Sequence, residues 1–332
     1  MLYRVHDEDK INHARALCRM ASGVPDLHYI PFEAPTSIDA DTMHNPLHTV
    51  VSLKADGIRY MLVLCMYMNK PHAFLVNRAE EVYVVLIAAP QQWFHHTHVY
   101  EVELCTYKPE PYKKILLVFN VLYCHEPMHQ TSYRQRYDLV QQHTCPTLLD
   151  SLADRHIASR TIMTSMHPGL YIVTKPCHPV QALATLSPSP WYDCDGYIFT
   201  SLVGGMTTGR NSTLLKWKNK HTVDLRLVVT HNDVQLLTLH RGRYSRVTHC
   251  TCRMTPLLSS ILRGHALYTK QTTFDEIVEF EIQGKELVYN CIRRDKTTPN
   301  DTLTVSRTFA AVEDGVSLET LISVYTIKKS EV

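Results

Sequence analysis

The sequence predicts an α+β protein: a largely antiparallel sheet domain, then a small β-barrel, then a terminal helix. Three observations carry this reading. An amphipathic helical pattern opens the chain over Asp7–Ala21. Strand-length apolar runs with short polar or Pro-containing connections fill Thr49–Cys124. Short strands separated by turn signals recur from Thr222 to Val288, a spacing that suits a small barrel.

In the first helix Ile11, Ala14, Leu17 and Cys18 share a face, and Asp7 stands where an N-cap belongs. Strands are predicted over Thr49–Leu53, Gly57–Leu64, His72–Asn77, Val82–Ala89, His98–Leu104 and Lys114–Cys124. Ser132–Arg155 has helical spacing that Pro146 must divide. Strands return at Leu170–Val173, Trp191–Thr200, Leu214–Lys218 and Thr222–Thr230. The barrel region adds Val234–Leu239, Glu276–Ile282 and Glu286–Ile292, and Ser317–Lys328 reads as the last helix.

At 332 residues the chain is long enough for one large domain or two unequal ones. Its 20% charged and 45% hydrophobic residues exclude wholesale disorder. A net charge of +2 confines any nucleic-acid contact to a local patch. Apolar runs such as MLVLCMYM fall far short of the ~20 residues that span a bilayer, so no membrane role is expected. The N-terminus has no secretory pattern, and the ten cysteines include no C-x-x-C pair. Both point to a reducing intracellular compartment, nucleus or cytoplasm.

Lys54-Ala-Asp-Gly-Ile-Arg59 places a lysine, Asp56, Gly57 and Arg59 where one strand hands over to the next. Lysine is a nucleophile only once it sheds its proton, which nearby cations and partial desolvation favour. Lys216 and Lys218 supply such cations, two apart on a strand and so on one face, with Trp217 on the other as a core anchor. Upstream, Asp193 and Asp195 share a face beside Gly196, and a carboxylate there could orient the Lys54 amine or hold a divalent cation.

Taken in order, these segments resemble the covalent nucleotidyltransferases, the mRNA capping guanylyltransferases and polynucleotide ligases. Lys54 matches the nucleophile of their first motif, Asp195–Phe199 (DGYIF) their D-G-L-I-F, and LLKWK their K-x-K. RRDKTTPND, from Arg293, is similar to the R-x-D-K-x-x-x-N signature of capping enzymes, and TVDL after the lysine pair also favours them over ligases. Order, spacing and length resemble the compact guanylyltransferases of large DNA viruses. The resemblance implies a nucleotidyltransferase domain over 1–220, an OB-fold barrel over 221–315 and a C-terminal helix over 316–332 that packs back on the first domain.

It also implies roles. GTP is the substrate, Mg²⁺ or Mn²⁺ the cofactor, and the diphosphate 5′ end of a nascent RNA the acceptor, in a host cell if the chain is viral. Catalysis falls to Lys54, Asp195, Lys216, Lys218, Arg293, Asp295 and Lys296, the last three reaching the β- and γ-phosphates. Nucleotide binding falls to Asp56, Gly57, Arg59, Arg78 at the ribose, Glu103, Phe119 stacked on guanine, Arg210 and the two strand lysines. Asp195 and Glu103 are the metal candidates. Four positions depart from the family: Glu101-Val102 replaces Asp-Gly before Glu103, Asn120 replaces an aspartate after Phe119, and Cys291 replaces an arginine.

An H-C-x5-R phosphatase motif and a methyltransferase glycine motif are both missing, so partner proteins are expected to supply those steps. The rival readings are an ATP-dependent RNA or DNA ligase and a non-catalytic RNA-binding relative. Three motifs are read as decoys. His125-Glu-Pro-Met-His129 matches the zinc-protease pattern, but Pro127 opposes the helix it needs. His95, His96 and His98 read as a polar loop, and Asn211-Ser-Thr matters only in a secreted chain.

Overall fold

The structure, a computed structural model, describes residues 2–38, 42, 48–145, 162–230, 233–270, 273–294, 296–313 and 315–327. From the N-terminus run β1 (Leu2–Arg4), α1 (Glu8–Ala21), β2 (Ala34–Ser37), β3 (Thr49–Ala55), β4 (Ile58–Tyr67), β5 (Lys70–Asn77), β6 (Val82–Val85) and β7 (Ile87–Ala88). There follow α2 (Gln91–His95), β8 (His98–Thr106), β9 (Lys114–Cys124), β10 (Glu126–Pro127), α3 (Tyr133–His143), β11 (Thr164–Ser165), β12 (Leu170–Thr174), β13 (His178–Pro179), β14 (Cys194–Ser201) and β15 (Arg210–Lys218). The remainder is β16 (Thr222–Val229), β17 (Val234–His240), β18 (Arg243–Arg246), β19 (Thr251–Arg253), α4 (Pro256–Thr269), β20 (Phe274–Gln283), β21 (Glu286–Ile292), α5 (Thr302–Glu313) and α6 (Leu318–Ile327).

The chain divides into two compact units, one of residues 1–38, 42–217 and 319–332, the other of residues 39–41 and 218–318. In the first, an eight-stranded sheet has the order β1-β6-β5-β4-β8-β9-β10, with β12 against β9. Every pair is antiparallel except β12 with β9. Tyr60 through Cys65 are all buried, as a central strand covered on both faces requires. Tyr60, Leu62 and Leu64 join one core, while Met61, Val63 and Cys65 join another against Ala14, Cys18 and Ala21 of α1. Asp7 caps α1 through Lys10 N, as its position in the sequence suggests.

A second sheet of the same unit has the order β13-β3-β14-β15-β2. On it Phe199 stacks on Tyr325 of α6 at 5.5 Å between ring centroids. The predicted strand Val82–Ala89 breaks at Leu86, where β7 leaves the large sheet to pair with β11. The helix predicted from Ser132 is α3, started by a capping box at Ser132; its portion from Pro146 to Arg155 lies outside the described residues.

The second unit carries one six-stranded sheet, β18-β17-β16-β20-β21-β19, with a core that includes Val223, Leu225, Leu227, Val278, Phe280 and Leu287. Its strands were legible, but α4 and α5 were not. Thr255 caps α4 ahead of Pro256 at the first turn, and Asp301 accepts from Thr304 N at the start of α5. Both are local start signals that a strand-by-strand reading passes over. Among the described residues no helix is long and apolar enough to cross a membrane.

Candidate active site

Lys54 is the penultimate residue of β3, whose partner β14 carries a bulge. Ala55 faces Cys194 and Lys54 faces Gly196, leaving Asp195 as the extra residue between them. The bulge delivers the Asp195 carboxylate to the amine, with Lys54 Nζ donating to Asp195 Oδ1 at 2.7 Å. Both side chains are partly shielded, at 21% and 34% exposure, so the pair is neither a solvated surface contact nor a sealed one. Asp193, expected on the same face as Asp195, instead pairs its carboxylate with Lys108 at 2.9 Å, and its carbonyl accepts from Asp56 N.

Asp56 and Gly57 make the tight turn from β3 into β4, with Asp56 exposed. A Cβ on Gly57 would meet Cys105 Sγ at 2.7 Å and Glu103 Cγ and the Leu104 carbonyl at 2.8 Å. Only glycine lets this turn lie against β8. Gly57→Ala is therefore expected to destabilise the protein by ~1–3 kcal/mol and to shift Glu103, read by chemical denaturation. An unchanged denaturation midpoint would contradict the close approach.

Arg59 is in register with Glu103 across β4 and β8. Its guanidinium donates to the Glu101 carboxylate and to the Glu33 carbonyl, and lies over the rings of Phe32 and Phe119 at 5.6 and 5.4 Å. Glu101 is 1% exposed, and its other oxygen accepts from Asn120 Nδ2 at 2.9 Å. Asn120 Oδ1 in turn accepts from Arg136 Nε at 2.9 Å. Two of the departures from the family motif, Glu101 and Asn120, thus touch each other. At Asn120 an amide both donates to Glu101 and accepts from Arg136, where a second carboxylate would face Glu101 with like charge. Glu101-Val102 forms no turn, because β8 runs through it with a register shift.

Phe119 is the extra residue of a bulge in β9, since Asn120 faces Glu101 and Val118 faces Val102. The bulge turns its ring out of the apolar alternation to half-exposure. Lys175 Nζ lies 5.3 Å from that ring and 3.1 Å from Glu103 Oε2. Arg78 lies over Phe32 at 5.7 Å, and burial together with neighbouring Arg59 draws its guanidinium below the ordinary value. Glu33 is buried, and that burial, reinforced by Glu101, holds its carboxyl above the usual carboxylate range.

Lys216 and Lys218 lie on β15, separated from β3 by β14, about 10 Å at two strand spacings. The Asp195 carboxylate is in direct contact with the Lys54 amine. Trp217 is half-buried with its ring 5.8 Å from Tyr197, and Leu215 is the fully buried residue of that face. Arg210 is exposed at the far end of β15 from the lysine pair. The Asn211 sequon is closed to modification: its amide donates to Glu33 and is 5% exposed.

Lys218 opens the second unit, which also holds Arg293 and Lys296. Arg293 Nη1 pairs with Asp224 at 2.9 Å and Glu279 at 3.2 Å, and Lys296 pairs with the other Asp224 oxygen. The TVDL aspartate, buried at 6%, is thus the partner of the R-x-D-K cations. Asp295 lies outside the described residues. Asp195 and Glu103 are hard oxygen donors, the ligand chemistry that Mg²⁺ or Mn²⁺ takes.

Three residues of this arrangement, and the role of a fourth, have no motif in the sequence. Lys175, 6% exposed, follows an all-buried strand, which is a detectable oddity. Glu33, Arg136 and the bridging role of Glu101 have no local signal, because their partners are remote in sequence.

Among solved structures the chain is similar to a mycobacterial DNA ligase D complexed with ATP and MES, at 12% identity and a TM-score of 0.41, covering 80% of this chain and 94% of that one. It is also similar to the ATP-dependent DNA ligase from bacteriophage T7 in complex with ATP, at 11% identity and a TM-score of 0.32, covering 79% and 98%. No curated protein sequence matches. The family model described as mRNA capping enzyme, catalytic domain, matches residues 4–220. The chain belongs to the mRNA capping enzyme catalytic domain family, and so to the covalent nucleotidyltransferases.

Proposed function

We propose that this protein is an mRNA guanylyltransferase that carries GMP on Lys54. The observation that carries the reading is the Lys54 amine held 2.7 Å from Asp195 at the mouth of the β3–β4 turn. Nζ attacks the α-phosphorus of GTP, a P–N bond forms, and the bond to pyrophosphate breaks. The amine proton leaves, and Asp195 Oδ1 is the acceptor already in contact. A β-phosphate oxygen of an RNA 5′-diphosphate then attacks the same phosphorus, the P–N bond breaks, and the GpppN end departs as Nζ regains a proton. Phe119 offers the face on which guanine stacks, with Arg59 and Lys175 beside it. A divalent cation held by Asp195 and Glu103 would neutralise phosphate charge. Lys216 supplies a further cation for the phosphates.

We read the second unit as an OB-type barrel. Counting β18 and β19 as one interrupted strand gives a five-strand path in which β16 pairs with both β17 and β20. Its third and fifth strands run parallel, and α4 sits between the third and fourth.

The test is incubation with α-labelled GTP and Mg²⁺ or Mn²⁺, followed by denaturing electrophoresis. A protein-bound label from GTP that passes to a diphosphate-ended RNA is expected; label from ATP alone would replace this reading with a ligase. Phe119→Ala is expected to raise the GTP concentration for half-maximal labelling by about tenfold, since base–aromatic stacking is worth ~1–3 kcal/mol. No change in that concentration would remove Phe119 from the base site.

A further inference from the structure

We infer that the first unit carries a transition-metal site, of the zinc class, at the opposite end of the β8–β9 pair from Glu103. Its ligands are His98, Cys124 and His125, whose ligand atoms lie within 4.8 Å of one another. His98 and Cys124 are direct partners across the two strands. His98 Nε2 stands 3.3 Å from Cys124 Sγ. Tetrahedral zinc, with Zn–N near ~2.0 Å and Zn–S near ~2.3 Å, puts such a pair about 3.5 Å apart. The fixed half of the site is therefore already at ligand spacing.

Three further observations support this assignment. First, His98 is completely buried, and its Nδ1 lies 3.0 Å from the Trp93 carbonyl. That carbonyl accepts only from an N–H, so the proton sits on Nδ1 and the Nε2 lone pair faces the sulfur. This is how second-shell groups orient metal-binding imidazoles. Second, Thr97 and His125 both adopt left-handed backbone, at φ 56° and 64°, just before His98 and just after Cys124. A non-glycine residue there carries strain that persists where the surroundings demand it. At His125 the result is a ring turned back toward the strand end, its centroid 4.9 Å from that of His98. Third, a further imidazole stands nearby: His96 is exposed, with its ring 4.8 Å from that of His125. His143, though 5.8 Å from His98, is occupied by Tyr100, whose hydroxyl meets its Nδ1.

His98 opens β8 from within the core, so the loop reading of this cluster does not hold. His125 begins no helix, because Glu126–Pro127 is a short strand, and the zinc-protease pattern fails with it. Cys124 would coordinate as its thiolate, giving up the thiol proton. Coordination would release that proton to solvent. Imidazole and thiolate together select zinc-class ions over Mg²⁺, which keeps the site chemically separate from the carboxylates beside Lys54.

The test loads the full-length protein with Zn²⁺ alone and, separately, with Co²⁺ alone. One equivalent of zinc surviving gel filtration and a thiolate-to-cobalt charge-transfer absorption are expected. Cys124→Ser should erase that absorption. His125→Asn, which tolerates the left-handed backbone and leaves the fold intact, should weaken zinc binding at least about tenfold. Lys54 labelling by GTP with Mg²⁺ should be unchanged in His125→Asn, which separates failure here from failure of the guanylyltransferase reading. Absence of stoichiometric zinc, cobalt spectra without the thiolate band, or undiminished binding in His125→Asn would each overturn the assignment.

Discussion

Lys54→Ala is expected to reduce covalent labelling by GTP to background while leaving the fold intact. The side chain ends in one ion pair, partly shielded at 21% exposure, so its removal leaves Asp195 accessible to water and costs little stability. Its removal also deletes the only atom that forms the P–N bond in the proposed scheme. Lys54→Arg keeps the charge and a partner for Asp195, yet should label no better, because guanidinium stays protonated and offers no lone pair. Asp195→Asn keeps a hydrogen-bond acceptor at the bulge without the charge, and labelling should fall while Lys54 remains present. The measurement is label per folded molecule, with circular dichroism confirming the fold. Labelling retained in Lys54→Ala would move the nucleophile elsewhere and end the proposal.

Glu101→Ala is expected to have the largest effect on stability, a loss of ~3–5 kcal/mol. It is the price of breaking a buried pair by deleting one member. Glu101 is 1% exposed and serves Arg59 and Asn120 with its two oxygens. Without it, Arg59 is left beside Phe119 with a carbonyl partner and no countercharge, and Asn120 loses the acceptor for its amide. Labelling should fall as well, since Arg59 then has no anchor beside the proposed base platform. Glu101→Gln, which keeps the shape and one acceptor oxygen, should be milder on both counts. Urea denaturation reads the stability; a loss under about 1 kcal/mol in Glu101→Ala would show that the network is not held as a unit.

What the sequence disclosed and what it withheld divide along contact distance. Helix α1, the run from β3 to β9 and the strands of the second unit follow from period and turn chemistry, which act over a few residues. Lys54 and Asp195 are 141 residues apart in sequence, yet each sits in its own recognisable motif, so both were legible without their distance being known. Lys175 and Glu103 are 72 apart, and the lysine belongs to no motif, so the pair was invisible. In linear order the mutual adjustment of Glu101 and Asn120 reads as two unrelated departures, because across-strand proximity leaves no trace there. The bulges in β9 and β14 were likewise hidden: a strand pattern announces alternation, and a bulge is where alternation fails. Two helices of the second unit were passed over for the converse reason, their capping signals standing among strands.

The extra residue in β14 also constrains how this segment can change over generations. Deleting one residue near Cys194–Gly196 would make the ladder regular and swing the acidic group to the opposite side of the sheet, whatever amino acids were kept. Exchanges of side chain on the flanking positions leave that geometry alone. Variants of this stretch should therefore tolerate replacement far better than a change of length by one, and a single-codon deletion there should silence the enzyme as thoroughly as loss of the lysine itself.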